Sequence, residues 1–253
     1  MKTPEQIKAM KNKEKIAVLT AYGYPIAKIL DEANFDIILV GDSLGMVVLG
    51  YETTKQVTIE DIVRHTKAVA NGAKNTLIIA DLPINTYNTE EDAIKNAKLL
   101  LEAGAHGVKP EGKKEIVRAL TKQNIFVMGH IGLLPQTQQY SVKGKHEEEA
   151  KNLINEAKEI EKAGAFSIVI ESVPLKLAKK ITSSINIPTI GIGAGPYCDG
   201  QVLVINDLLG LYDKLKPKFV KQYANLWEII KKAVIRYRDD VKASKFPTKK
   251  YSF

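Results

Sequence analysis

Short apolar runs alternate with amphipathic segments along nearly the whole chain. The runs are rich in Val, Ile and Leu, as in "IAVLTAY" (16–22) and "DIILVGD" (36–42). The segment between these two runs carries Ile26, Ile29 and Leu30 at the spacing of one helix face. Apolar runs that are each separated by a helix are typical of a parallel sheet covered by helices.

The same pattern predicts the other elements. The predicted strands cover residues 16–22, 36–42, 76–83, 106–112, 125–132, 167–174, 187–195 and 201–207. The predicted helices cover residues 3–13, 25–34, 59–72, 90–104, 113–123, 146–164, 175–185 and 219–241. Thr58, followed three residues later by Asp61, is predicted to cap the helix at 59–72.

Seven or eight strand–helix units favour an α/β fold of the (β/α)₈ TIM-barrel type in a chain of 253 residues. The helix at 3–13 is expected to cap the bottom of this barrel. A doubly wound open sheet is the alternative. The segment between the last two predicted strands is too short for a full helix, so one strand–helix unit is degenerate. We expect one domain over residues 1–253, with a basic tail at 242–253.

The composition narrows the class of protein. The net charge is +8, but the lysines are spread along the predicted helices. The basic stretch 242–253 is interpreted as a solvated tail, with a nucleic-acid-binding arm as the alternative. The single cysteine, Cys198, excludes an internal disulfide framework and favours the cytoplasm. Because the positive charge is not clustered, a nucleic acid is not an expected partner. No apolar run reaches the length of a membrane span, so a membrane is not an expected partner either.

Polar side chains follow five of the predicted strands at their carboxyl ends. Because these ends converge on one mouth of a barrel, we expect the side chains to form one site. They are Asp42 and Ser43, Asp81, Lys109 and Glu111, His130, and Glu171.

Three of these acids suggest a metal site. Asp42, Asp81 and Glu111 follow neighbouring strands, and carboxylates so close raise one another's pKa unless a cation neutralises them. Oxygen ligands of this kind suit Mg²⁺, whereas no His/Cys cluster has the spacing of a zinc site.

The remaining side chains suggest acid–base chemistry on a small anion. Lys109 lies two residues from Glu111, so both face the same side of a strand, and its charge suits a substrate carboxylate. Glu171 comes from across the barrel and could act as a general base. Ser43 could bind a substrate oxygen or simply turn the chain.

Less specific interpretations stay open for several residues. A lone Asp at a strand end is often the cap of the next helix, and His130 alone is often structural. His65 and His106 are expected to be structural, and Cys198 to be inert. The stretch "GIGAG" (191–195) fits either an anion-binding loop or tight packing.

The ordered set of motifs resembles the ketopantoate hydroxymethyltransferase family over roughly residues 3 to 215. The motifs are "VGDSLGM", "VTIEDIVRHT", "ADLP", "VKPEG", "GHIGLLPQ", "ESVP" followed by "LKLAKKIT", and "IPTIGIGAG" followed by "DGQVLV". The motif "VGDS" alone would also fit the wider phosphoenolpyruvate mutase and isocitrate lyase superfamily, but the lyases' "KKCGH" motif is absent.

The resemblance implies the transfer of a one-carbon unit from 5,10-methylenetetrahydrofolate to 3-methyl-2-oxobutanoate, giving 2-dehydropantoate on the route to pantothenate and coenzyme A. It implies a Mg²⁺ site at Asp42, Asp81 and Glu111, the last bound directly or through water, and Glu171 as proton acceptor. It implies contacts to the oxo acid from Asp42, Ser43, Asp81 and Lys109, with support from His130. It also implies a (β/α)₈ barrel and a homo-oligomer, commonly a decamer.

The chain departs from the family pattern at three places. Gly23 stands where an aspartate is expected, and Pro110 stands where a β-branched residue is usual. The loop between Gln136 and Tyr140 is shorter than expected. Two other functions stay open: a lyase or phosphonate-forming mutase that needs no folate, and a non-catalytic barrel that binds nucleic acid.

Overall fold

The computed structural model describes residues 1–212 and 217–253 of the chain. These residues fall into two compact units, Met1–Val204 and Ile205–Phe253. The first unit contains all eight strands and every predicted site residue. The expectation of one domain over the whole chain stays a prediction.

The first unit is built on eight parallel strands. They are β1 (Ile16–Thr20), β2 (Ile37–Val40), β3 (Leu77–Asp81), β4 (Gly107–Lys109), β5 (Met128–Gly132), β6 (Ser167–Glu171), β7 (Thr189–Ile192) and β8 (Gly200–Leu203). Their order is β4-β3-β2-β1-β8-β7-β6-β5, and a single parallel bridge between Val108 and Val127 brings the two end strands together. The sheet is therefore a nearly closed barrel, which confirms the predicted TIM-barrel class.

Helices follow most of the strands. They are α1 (Pro4–Ala9), α2 (Tyr24–Glu32), α3 (Leu44–Val47), α4 (Ile59–Gly72), α5 (Glu90–Glu102), α6 (Lys114–Lys122), α7 (Glu147–Lys162) and α8 (Leu175–Ser184). A 3₁₀ turn covers Thr54–Gln56. Thr58 and Asp61 form the predicted capping box of α4, because each side chain accepts from the other residue's backbone N–H. The short helix α3, directly after the second strand end, was not predicted.

The barrel interior is apolar towards the amino ends of the strands, which form the bottom of the barrel. Alternate residues of each strand point inward, so Ile37 and Leu39 of β2 belong to the same core cluster as Ile16 and Val18 of β1. Ile7 of α1 is fully buried in this cluster. The N-terminal helix therefore caps the barrel, as the sequence predicts.

A buried ion pair fixes the chain after α1 to the barrel. Lys11 Nζ lies 2.8 Å from Asp199 Oδ2 and donates a second hydrogen bond to the carbonyl of Thr182. Asp199 also accepts from the backbone N–H and the hydroxyl of Thr189. These bonds satisfy both charges and join the segment after α1 to β7 and α8.

The second unit contains α9 (Ile205–Leu208), α10 (Leu226–Lys242) and a 3₁₀ turn at Lys249–Tyr251. The last helix was predicted over 219–241, but it begins at Leu226, where Asn225 caps it by accepting from Glu228 N–H. Phe246 contacts the ring of Tyr237 at 5.6 Å, so part of the expected tail lies against α10. No helix in the described part of the chain has the length and apolar character that a membrane crossing requires.

Candidate active site

The site lies at the carboxyl ends of β2 to β6, where the strands deliver their last side chains. Asp81 ends β3 and is paired in register with Lys109, the last residue of β4. Lys109 Nζ lies 2.7 Å from Asp81 Oδ1, and both side chains are almost wholly buried. The backbone N–H of Asp42, two residues after β2, donates to Asp81 Oδ2 at 3.0 Å. Three predicted residues therefore form one bonded group.

Pro110 does not interrupt the sheet, because β4 ends at Lys109. The backbone N–H of Leu82 still bonds to the carbonyl of Lys109 at 3.0 Å. Glu111 lies just beyond the strand and is 5% exposed. The predicted pair Lys109 and Glu111 is thus buried together at this end of the barrel, although only the lysine belongs to a strand.

His130 lies between two carboxylates. Its Nδ1 is 3.6 Å from Glu111 Oε1, and its Nε2 is 3.2 Å from Glu171 Oε2. Neither ring nitrogen has a hydrogen-bond partner among the described residues, although the imidazole is 2% exposed. Buried polar atoms left without partners are costly, so these nitrogens are available to a ligand.

Gln136 and Tyr87 belong to the site but were not predicted as site residues. The side-chain amide of Gln136 donates to Asp42 Oδ2 at 2.8 Å, and its backbone N–H donates to Glu111 Oε2 at 3.1 Å. The Tyr87 hydroxyl bonds to Gln136 Oε1. Both residues are uncharged in this site and lie in loops. A search for acids and histidines at strand ends therefore passes over them.

Ser43 is oriented by an aromatic neighbour. Its hydroxyl lies 2.8 Å from the Tyr22 hydroxyl, and a ring nitrogen of His65 lies within hydrogen-bond distance of the Tyr22 carbonyl. His106 Nδ1 accepts from the backbone N–H of Ile78 at 3.0 Å, away from the acid cluster. Both histidines thus make the structural contacts expected of them.

The backbone of Ser172, the residue directly after Glu171, is strained. Its φ is 49°, in the left-handed region that a serine rarely adopts. Its hydroxyl is buried and has no hydrogen-bond partner among the described residues. Strained residues that persist at the end of a strand are concentrated at functional sites. The sequence signal for this feature was only its place after Glu171.

Burial and the negative charge of neighbouring carboxylates raise the pKa values of three acids in the site. Burial, with the charge of Asp81, raises the pKa of Asp42 to about 7. Burial, with the charge of Asp42, raises the pKa of Glu111 to about 9. Burial also raises the pKa of Glu171 to about 8, although Lys109 opposes the shift. The site therefore holds more carboxyl groups than the single ammonium group of Lys109 can neutralise.

The pKa values of the two basic side chains, Lys109 and His130, shift in opposite directions. Burial on its own would lower the pKa of Lys109, but Asp81, Asp42 and Glu111 raise it above its ordinary value, so the ammonium stays charged. Burial and the charge of Lys109 hold the pKa of His130 well below its usual range. The imidazole is therefore neutral, and it can accept or donate a proton at either nitrogen.

The donor set fits a hard cation, but not as a complete protein cage. Asp42, Asp81 and Glu111 offer buried carboxylate oxygens, the ligands that Mg²⁺ prefers. Within residues 1–212 and 217–253, no three His, Cys, Asp or Glu side chains are placed to hold one ion. Lys109 and Gln136 already bond to these carboxylates. The chemistry of the donors therefore allows a cation that keeps some of its water ligands.

The "GIGAG" segment packs closely against its neighbours. A side chain on Gly195 would meet Leu175 Cβ at 2.6 Å, and one on Gly191 would meet Cys198 Sγ at 3.0 Å. Burial raises the pKa of the Cys198 thiol, which keeps it protonated and unreactive. These contacts favour the packing interpretation of the glycines.

Comparison with known proteins decides the family. The family model for ketopantoate hydroxymethyltransferase matches residues 1–249 of this chain. The chain belongs to the ketopantoate hydroxymethyltransferase family. The resemblance and the enzyme class predicted from the motifs are thereby confirmed.

Curated members of this ketopantoate hydroxymethyltransferase family align along nearly the full chain. The 3-methyl-2-oxobutanoate hydroxymethyltransferase of Caldicellulosiruptor bescii is 51% identical, over 95% of this chain and 94% of its own. The protein of the same name from Syntrophus aciditrophicus is 52% identical, over 99% of this chain and 96% of its own.

Solved structures support the same barrel class for this family member. Phosphonopyruvate hydrolase covers 99% of this chain and 93% of its own at a TM-score of 0.66 and 13% identity. A 2,3-dimethylmalate lyase of the PEP mutase/isocitrate lyase superfamily covers 100% of this chain and 93% of its own at a TM-score of 0.61 and 14% identity. At these identities the likeness concerns the fold alone.

Proposed function

We propose that this protein transfers a hydroxymethyl group from 5,10-methylenetetrahydrofolate to 3-methyl-2-oxobutanoate in the presence of Mg²⁺, giving 2-dehydropantoate for pantothenate biosynthesis. The observation that carries the proposal is the buried acid cluster around Lys109, at the strand ends of a chain that belongs to this family. The curated relatives bear the name of this reaction.

A cation would complete the charge balance of the site. Asp42 and Asp81 are the residues that would hold it, together with Glu111 directly or through water, although among the described residues the three are not arranged as a full cage. When bound, Mg²⁺ supplies positive charge and coordination positions for the keto and carboxylate oxygens of the oxo acid. The ammonium of Lys109 adds a second positive charge for the substrate carboxylate.

Glu171 is proposed as the base that removes the proton at C3 of the oxo acid. Its pKa, raised to about 8 by burial, lies close to a neutral working pH, where a general base is most effective. His130 Nε2 lies 3.2 Å from Glu171 Oε2, so a small rotation of either side chain would let the neutral imidazole bond to the carboxyl group and orient it. Water would add its oxygen to the methylene carbon while both folate C–N bonds break and the two nitrogens take up the protons of the water, which releases tetrahydrofolate and a carbon unit at the formaldehyde level. The carbanion would then attack that carbon, and the new alkoxide oxygen would take the proton held by Glu171.

Ser43 is proposed to contact the oxo acid together with Asp42. The Tyr22 hydroxyl at 2.8 Å fixes the orientation of the Ser43 side chain. Ser43 is only half-buried, so its hydroxyl can be reached by a ligand in the mouth.

A product assay with each component omitted tests the proposed function. Formation of 2-dehydropantoate should require the oxo acid, methylenetetrahydrofolate and Mg²⁺ together, and chelation of the cation should abolish it. Absence of product from folded protein with all three present would refute the proposal. Cleavage of an oxo acid without folate would instead support the lyase alternative.

A homo-oligomer and a cytoplasmic location stay predictions. A second copy of this chain is the proposed partner of α10, which has no buried residue but carries Trp227, Ile230, Val234 and Tyr237 at three- and four-residue spacing. Such spacing is typical of a helix that packs against another. Sedimentation velocity tests the oligomer, and a decamer is the state that the family resemblance implies.

A further inference from the structure

We infer that Gln136 is the positioning residue of the acid cluster: it holds the carboxylates of Asp42 and Glu111 in the orientation that receives the cation. The inference rests on the proposed Mg²⁺-dependent function and assigns a role to a residue outside the predicted ligand set. Gln136 is fully buried, in the loop that follows β5.

From the loop after β5, the bonds of Gln136 reach the ends of three other strands, β2, β3 and β4. Its side-chain Nε2 donates to Asp42 Oδ2 at 2.8 Å, after β2, and to the Leu82 carbonyl at 2.9 Å, after β3. Its backbone N–H donates to Glu111 Oε2 at 3.1 Å, after β4. One residue of the β5 loop therefore touches two of the three candidate ligands.

Tyr87 fixes the direction in which the Gln136 amide points. The backbone N–H of Glu111 donates to the Tyr87 hydroxyl oxygen at 3.3 Å, so that oxygen acts as an acceptor there. The hydroxyl proton is then directed to Gln136 Oε1. With its oxygen engaged in this way, the amide presents its N–H groups to Asp42 and Leu82, and a flip would break these bonds.

This arrangement leaves one oxygen of each carboxylate for a cation. Gln136 engages Oδ2 of Asp42 and Oε2 of Glu111, but neither Asp42 Oδ1 nor Glu111 Oε1 bonds to it. The neutral amide donates hydrogen bonds without adding charge, so it orients both acids and leaves their charge for the cation. Groups that hold metal ligands in this way commonly change metal affinity by about 10- to 100-fold when they are replaced.

The test compares Mg²⁺ binding by three variants of the full chain. Gln136→Met keeps the size of the side chain and loses its hydrogen bonds, and Tyr87→Phe loses only the hydroxyl that directs the amide. Gln6→Met is the matched control, because Gln6 lies in the capping box of α1 at the other end of the barrel. Mg²⁺ affinity is measured by calorimetry, and thermal unfolding is followed without the cation.

We expect Gln136→Met to weaken Mg²⁺ binding by about 10- to 100-fold, Tyr87→Phe to weaken it less, and Gln6→Met to leave it unchanged. Turnover of Gln136→Met should recover when Mg²⁺ is raised to saturation, which a merely structural role would not produce. If folded Gln136→Met or folded Tyr87→Phe binds Mg²⁺ as tightly as the unaltered protein, the inference is wrong while the proposed function stands. If the unaltered protein binds no Mg²⁺, both are overturned.

Discussion

Lys109 Nζ lies 2.7 Å from Asp81 Oδ1 at the ends of two strands that pair in register, and this ion pair is the electrostatic centre of the site. Around it, Asp42, Glu111 and Glu171 are buried acids with raised pKa values. One ammonium group cannot balance four carboxyl groups. The divalent cation proposed for this site would supply the missing positive charge.

Loss of the Lys109 ammonium should destabilise the protein strongly. Lys109→Met leaves Asp81 buried without a counter-charge, and breaking a buried pair on one side costs about 3–5 kcal/mol. Lys114→Met is the matched control, because Lys114 forms a pair of similar length, 2.9 Å, with Glu159 at an exposed position. That change should cost far less, because an exposed ion pair contributes little to stability. Urea unfolding of both variants checks this, and equal losses would contradict the central role of the Lys109 pair.

Gly132→Ala should disrupt the site, because the added methyl group would collide with the backbone next to Glu171. Gly132 has a φ of 92°, and a Cβ there would lie 2.2 Å from the carbonyl oxygen of Glu171. The strand that carries Glu171 would have to move, so we expect lower stability and activity reduced at least about tenfold, since small misplacements of reacting groups cost large factors in rate. Unfolding and turnover measurements check the prediction. Unchanged turnover would show that the position of Glu171 tolerates this shift.

Gly23→Asp should have the opposite effect. Gly23 is the N-cap of α2 and has an extended backbone, and the cap makes no side-chain hydrogen bond. A Cβ added at Gly23 would have no atom within 4 Å, so a side chain fits there. An aspartate, the residue expected from the family pattern, could accept from the first turn of the helix and add a few tenths of a kcal/mol, about the gain over glycine at such caps. Thermal unfolding measures this gain, and a fall in stability would show that the cap cannot form.

The pH dependence of stability should report the burial of Glu171. Its pKa is raised from 4.5 to about 8 in the folded chain, so the folded state binds the extra proton between these values. Stability is therefore lost as the pH rises through this window, by at most about 1.4 kcal/mol per pH unit. Glu171→Gln removes the titration, so its stability relative to the unaltered protein should increase with pH when divalent cations are absent. A difference that is constant with pH would contradict the raised pKa.

Lys11→Met should separate stability from function. The Lys11–Asp199 pair is buried near the barrel bottom, at the opposite end from the acid cluster, and its loss should cost about 3 kcal/mol or more. Lys8→Met, at an exposed position on α1, is the control. The KM for the oxo acid should not change in either variant. A raised KM in Lys11→Met would show that the two ends of the barrel are coupled.

The barrel could be predicted because its strands carry a local signal. Apolar runs such as "IILV" in β2 and the Thr58–Asp61 cap of α4 are visible in the sequence alone. The charged site residues were also predictable, because Asp81, Lys109 and Glu171 stand at strand ends that the barrel brings together. Their grouping follows from topology and needs no knowledge of side-chain positions.

The neutral part of the site could not be predicted in the same way. Gln136 and Tyr87 act through hydrogen bonds between loops, and such bonds depend on how the loops fold over the strand ends. The late start of α10 at Leu226 has a similar cause: Asn225 caps the helix there, although the helical pattern begins earlier in the sequence. In both cases a specific side-chain hydrogen bond decides a feature that the periodicity of the sequence does not determine.

The exchange of the C3 proton of 3-methyl-2-oxobutanoate with deuterated water, followed by proton NMR, tests most directly whether this site activates the oxo acid. The protein with Mg²⁺ should catalyse the exchange without folate, and chelation should stop it. Glu171→Gln should slow the exchange by at least about 100-fold, the usual contribution of a general base, while oxo-acid binding weakens less. Exchange at the full rate in Glu171→Gln, or no exchange in the unaltered folded protein, would contradict the account.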